Sequence, residues 1–171
     1  RRDLTRRGRG GREELSSPDR LSAAQLLAYA APTVALQAMM VPLLMFLPPT
    51  YSQVAGLSLA TVGLMFAIGR AVEALTDPLI GALSDRTTFA FGRRRTWMAV
   101  GTPIAIVATY FLLTPDKDTT ALYLLLWLVV FYAGWTMVFI PHQTWGGEMS
   151  GDYHERTRIA GFRETGSFVG Y

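Results

Sequence analysis

Apolar residues fall into four long blocks separated by short polar stretches, and each block reads as a helix long enough to cross a bilayer. Crossing a hydrocarbon core about 30 Å thick takes roughly 20 helical residues, so uncharged runs of this length predict membrane spans. The first block, about 21–47, carries no charge and is expected to stop at Pro48-Pro49, which cannot continue a helix. Its internal Pro32 and Pro42 predict kinks. Further spans are expected over about 58–84, 97–114 and 120–141, the last being the clearest. A fifth helix, about 159–171, is too short to cross. The first block is about twice as long as the apolar core of a secretion signal, and more spans follow it. The fold class is therefore an all-α integral membrane protein: a basic, disordered tail over 1–20, then a helical bundle over 21–171.

Composition alone suggests a small soluble domain, with 17% charged residues and a net charge of +3, but the charges are segregated. Seven arginines lie up to Arg20, four lie at Arg86 and Arg93–Arg95, and three lie at Arg156, Arg158 and Arg163. The intervening loops on the opposite side carry only Lys117, and fourteen against one places the amino terminus in the cytoplasm. Trp97 suits an interfacial anchor beside the arginines. The opening RRDLTRRGRGG is read as a tail touching anionic lipid rather than nucleic acid. Without cysteine, and with only His142 and His154, thiolate chemistry and Cys-based zinc sites are excluded. Nucleotide-binding and hydrolase motifs are also missing, so neither enzyme chemistry nor a cofactor is expected.

The informative chemistry is in the second span, which carries Arg70, Glu73 and Asp77. At about 100° per residue, Glu73 lies about 60° and Asp77 about 20° from Arg70, so all three share one stripe. Each costs about 2.5–3.5 kcal/mol at the bilayer centre, so the stripe must face protein or a water-filled cavity. An Arg70–Glu73 pair could be purely structural, but it leaves Asp77 as excess negative charge. Two carboxylates beside one guanidinium suit a site for Na+ or H+. Whether Arg70 pairs with Glu73 or with Asp77 is open at this level. The helix then ends in Gly81-Ala82-Leu83-Ser84-Asp85-Arg86, followed by Gly92-Arg93-Arg94-Arg95. Gly81 is expected to permit close helix approach. Asp85 and the arginines are expected to form a latch that can be made and broken.

The run RAVEALTDPLIGALSDRTTFAFGRRRTW resembles the second helix and following loop of the glycoside-pentoside-hexuronide:cation symporters, the melibiose-permease branch of the major facilitator superfamily. PHQTWGGEMSGDYHERTRIAGFRE resembles that branch's connection into its fifth helix. The resemblance implies an amino-terminal bundle of four full transmembrane helices and the start of a fifth, in a plasma or bacterial inner membrane. It implies cation binding by Glu73 and Asp77, with Thr136 assisting; alone, Thr136 would bond a carbonyl one turn back. Arg70 and Arg163 are implied to face the solute. Where sugar-recognising members carry acids, this chain has Gln37 and Phe139, which puts a simple galactoside in doubt; Gln37 could equally be interhelical glue. The implied function is cation-coupled transport of a small polar solute, sugar- or glycoside-like, that needs the remaining half of the transporter. The alternatives are an uncoupled facilitator or amphipathic-lipid carrier of the same fold, and a non-transporting membrane fragment.

Overall fold

The computed structural model describes residues 20–87 and 92–171, and the expected tail over 1–20 lies outside it save for Arg20. Five helices follow in order: α1 (Ala23–Val54), α2 (Leu59–Arg86), α3 (Arg93–Leu113), α4 (Ala121–Glu148) and α5 (Tyr153–Gly170). Side chains set most of the starts. Ser22 and Gln25 form a reciprocal capping box on α1, and Ser58, Thr120 and Asp152 each accept a first-turn N–H of α2, α4 and α5. The first four helices are long and apolar enough to cross a membrane. Large apolar side chains such as Leu75, Leu79, Ile106 and Leu122 point outward, as a hydrocarbon solvent requires.

The helices outrun their expected limits for reasons that sit in the packing. α1 passes through Pro48-Pro49 and ends at Val54. Two prolines remove two ladder donors, but Leu47 just before them and Tyr51 on the next turn are buried to 1% and 0% exposure, and that burial holds the turn helical. The Thr50 hydroxyl donates to the Phe46 carbonyl at 2.7 Å. The chain reverses at Gly56, whose φ of +68° belongs to the left-handed region. α4 likewise continues through Pro141 to Glu148, because Pro141, His142 and Gly146 face the interior. α5 starts at Tyr153, six residues early, since Asp152 caps it. α3 starts at Arg93, so the arginine cluster is its first turn rather than a loop before it.

α4 is the central element, packed extensively on α3 and α2, while α1 packs chiefly on α5. The main core runs through Leu43, Leu47, Val62, Leu112, Leu124 and Phe131, and a smaller one joins Leu26, Tyr29 and Ile159. Gly81 does not make the expected close approach: a Cβ there would meet only the Ile140 Cγ2, at 3.8 Å. Close backbone contacts lie instead between α1 and α5, where a Cβ on Gly170 would sit 2.6 Å from the Val34 carbonyl oxygen, and between α3 and α4. A Cβ on Gly101 would sit 2.8 Å from the Gly134 carbonyl oxygen, and one on Gly134 would sit 2.7 Å from the Ala105 nitrogen. Backbone against backbone leaves no flexible atom to yield.

Gly134→Ala is therefore expected to destabilise the full-length protein by about 1–3 kcal/mol through overpacking. Gly81→Ala should change stability by less than about 0.5 kcal/mol. Thermal unfolding in detergent measures both, and equal effects would show that the α3–α4 contact is not a tight one.

Candidate cation and solute site

Arg70, Glu73 and Asp77 occupy the middle of α2 and share one face, as their spacing requires. Arg70 Nη1 donates to Glu73 Oε2 at 2.6 Å, which answers the pairing question in favour of Glu73. Its guanidinium also lies 5.4 Å from the Tyr132 ring centroid on α4. Asp77 takes a different partner: Thr136 Oγ1, buried on α4, donates to Asp77 Oδ1 at 2.7 Å. Thr136 thus reaches across to α2 instead of back-bonding within its own helix. Pro78 follows Asp77 and removes one ladder donor of α2 beside the carboxylate.

One cavity of about 270 Å³ gathers Gln37, Arg70, Glu73, Asp77, Thr136 and Phe139. Its polar wall comes from α2, with two carboxylates against one guanidinium. Its apolar lining comes from Met40 and Leu44 of α1 and from Trp135, Phe139 and Ile140 of α4. Trp135 and Phe139 stack at 6.0 Å between centroids. Gln37 is 9% exposed, and its amide makes no hydrogen bond among the described residues, so it does not act as interhelical glue. Arg163 is the exception among the expected solute contacts. Its guanidinium is taken by the neighbouring Glu164 at 2.5 Å, and it does not line the cavity. Tyr171, at the end of α5, lines it instead. Trp135 was legible only as the residue before Thr136, and nothing in the pattern singled out Met40, Leu44 or Tyr171.

The arginines expected to form a latch with Asp85 pair chiefly with Glu148 instead. Arg94 donates Nε to Glu148 Oε2 at 2.8 Å and Nη2 to Glu148 Oε1 at 2.5 Å, and Arg93 Nη2 reaches the same Oε1 at 3.3 Å. Asp85 stands at 3.5 Å from Arg94, and its carbonyl accepts from Arg93 Nη1 at 3.0 Å. Glu148 is thus the principal acceptor and Asp85 the secondary one. Gly92 holds φ at +94° to turn the chain into α3. Arg95 lies over the Trp145 ring, and Arg86 forms no ion pair among the described residues. The Trp97 indole donates to the Thr87 hydroxyl at 2.8 Å, tying α3 to the end of α2.

A second buried contact was also unread. His142 stacks on Tyr29 at 4.5 Å between centroids, its Nε2 lies 2.8 Å from the Tyr29 carbonyl oxygen, and the Tyr29 hydroxyl donates to the His142 carbonyl at 3.2 Å. Gly146 leaves the space that the phenol fills. Lone histidines usually serve packing, and this one joins α1 to α4.

Helices α1–α4 are long and apolar enough to cross a membrane, and α2 and α4 bring two carboxylates and a threonine into one cavity. The sequence profile of the MFS/sugar transport protein family matches residues 28–171. The chain belongs to that family, the glycoside-pentoside-hexuronide:cation symporter branch of the major facilitator superfamily. It is 33% identical over 160 residues to an uncharacterized symporter of Synechocystis, covering 86% of this chain and 29% of the relative. It is 31% identical over 116 residues to the inner membrane symporter YicJ of Escherichia coli, covering 66% of this chain and 25% of that protein. It is 29% identical over 161 residues to the sodium-dependent lysophosphatidylcholine symporter 1 of Gallus gallus, covering 90% of this chain and 30% of that one. The chain thus spans under a third of the length of these relatives.

Glu148→Gln should lower stability by about 1–3 kcal/mol, because it removes charged acceptors from the buried Arg94. Arg86→Gln should change stability by less than about 0.5 kcal/mol. Chemical denaturation of the full-length protein measures both, and a silent Glu148→Gln would mean that Asp85 alone holds Arg94.

Proposed function

We propose that this chain forms the ion-coupling wall of a cation-coupled secondary transporter for a small solute. The observation that carries the reading is the Thr136–Asp77 hydrogen bond at 2.7 Å, formed between α4 and α2 in the cavity that Glu73 also lines. Three oxygen-bearing side chains from two helices then face one space, and hard oxygen donors with one excess negative charge suit Na+ or H+. Glu73 is balanced by its ion pair with Arg70, which leaves Asp77 as the carboxylate with the greater need of a cation. Binding one there neutralises the stripe and lowers the cost of closing the cavity against water. Ion and solute should therefore bind with positive coupling.

In this reading the solute lies between Arg70 and Gln37 on one side and the Trp135–Phe139 wall on the other. A glycoside-like molecule with hydroxyls on its edge and C–H groups on its face fits that division. Alternating access requires the second half of the transporter to close the cavity. The arginine side is assigned to the cytoplasm from the charge asymmetry, and the Arg94–Glu148 latch would favour one of the two end states. A second reading, an amphipathic-lipid carrier, is favoured by the apolar wall of Met40, Leu44, Trp135 and Phe139. The Gallus gallus relative named as a lysophosphatidylcholine symporter points the same way.

Uptake by the full-length protein in vesicles tests the coupling. Asp77→Asn should abolish accumulation driven by a sodium or proton gradient, and unimpaired accumulation would overturn the assignment. Thr136→Val should raise the half-saturating cation concentration about tenfold, as expected when one of the three oxygen ligands to the cation is lost, and Thr136→Ser should restore it. Competition by a lysophospholipid but by no glycoside would select the second reading.

A further inference from the structure

Tyr132 and Thr136 stand one turn apart on α4 and so share one face of it. Each meets a different charge on α2. Thr136 donates to Asp77 at 2.7 Å, while the Tyr132 ring faces Arg70, whose guanidinium carbon lies 5.4 Å from the ring centroid. Gly69 makes the second contact possible. A Cβ there would sit 3.1 Å from Tyr132 Cε2, so the missing side chain lets the ring lie close against α2 beside Arg70. The ring is 2% exposed and belongs to the main core, so packing fixes its place.

The Arg70 side chain is not fixed in this way. It is 55% exposed, and among the described residues its hydrogen bonding is confined to Glu73. Asp77, the carboxylate without a counter-charge, lies on the same stripe and in the same cavity, about 10 Å further along the helix axis. Its negative charge draws the guanidinium along the cavity, because charges there are screened far less than in bulk water. An arginine that moved to Asp77 would take the place of the cation. A guanidinium within about 6 Å of an aromatic centroid is attracted by the ring quadrupole. The Tyr132 face therefore opposes that movement and keeps Arg70 at Glu73.

We infer that Tyr132 is a positioning residue for the cation site: by holding Arg70 against its face, it reserves Asp77 for the coupling cation. The inference rests on the assignment of Asp77 as a cation ligand. Tyr132 does not line the cavity and acts through Arg70. Two successive turns of α4 thus serve the site, Thr136 by placing an oxygen beside Asp77 and Tyr132 by keeping the competing charge away from it.

Calorimetric titration of the full-length protein in detergent with Na+, and with protons where Na+ gives no heat, measures cation binding without solute. Tyr132→Leu should raise the half-saturating cation concentration about tenfold. Tyr132→Phe, which keeps the ring face, should restore it to within about twofold of wild type. In an Arg70→Gln background the same Tyr132→Leu change should have less than about a twofold effect, since no guanidinium is left to be released. A packing role alone gives equal effects in both backgrounds, and that result, or an unchanged affinity in Tyr132→Leu, overturns the inference. If Tyr132→Leu does not fold, phenylalanines with increasing ring fluorination at position 132 replace it. They keep the shape while withdrawing charge from the face, so affinity should fall stepwise along the series, and a flat series overturns the inference. Asp77→Asn tests the underlying reading separately: cation binding that survives it refutes the cation assignment whatever Tyr132 does, and the inference falls with it. Loss of binding in Asp77→Asn upholds that assignment and leaves the Tyr132 comparisons to decide.

Discussion

Three ionisable side chains in the middle of one membrane-spanning helix are the constraint on which the rest of the molecule depends. Arg70, Glu73 and Asp77 cannot face lipid, since each would cost several kcal/mol there, so α2 must present them to other helices. The surrounding structure supplies what each one needs. Glu73 is matched within its own helix by Arg70, which is in turn positioned over Tyr132 of α4. Asp77 is matched from outside by Thr136. The helix that answers the charges of α2 is therefore α4, and α4 is also the element on which most of the bundle packs.

That dual role explains how tightly α4 is held. Its other face meets α3 at Gly101 and Gly134 with backbone against backbone, so Thr136, two residues after Gly134, projects from a helix with little room to shift. Its final turns carry Tyr29 of α1 on His142 and the arginines of α3 on Glu148. The cavity and the arginine cluster thus lie along one rigid element. Glu148 lies on the same helix that supplies Thr136 and Phe139 to the cavity.

Much of the fold was legible, because a bilayer demands long apolar runs and the sequence has four. The charged stripe was legible because helical spacing alone brings residues 70, 73 and 77 together. Helix limits were misjudged where burial outweighed local preference: Tyr51 holds a turn beyond Pro48-Pro49, and His142 and Gly146 hold two turns beyond Pro141. Gly81 looked like a close contact because it lies in the loop signature, but Gly101 and Gly134 between α3 and α4 and Gly170 against α1 make the close ones, and glycines reveal such contacts only when the helices are placed. Arg163 was expected at the cavity and is instead held by its sequence neighbour Glu164.

By itself, the sequence determined the spans, the segregation of basic residues and the sharing of one face by three charged groups, since these follow from periodicity and from the cost of charge in hydrocarbon. It also carried the family signature. Only the tertiary structure decided which groups come together: Thr136 with Asp77, Glu148 with Arg94, and Trp135 and Phe139 in one cavity with the charges of α2. Each of these contacts joins residues more than fifty positions apart. Their geometry depends on how α2, α3 and α4 cross, and helix crossing is set by the summed packing of whole faces, which no local pattern encodes.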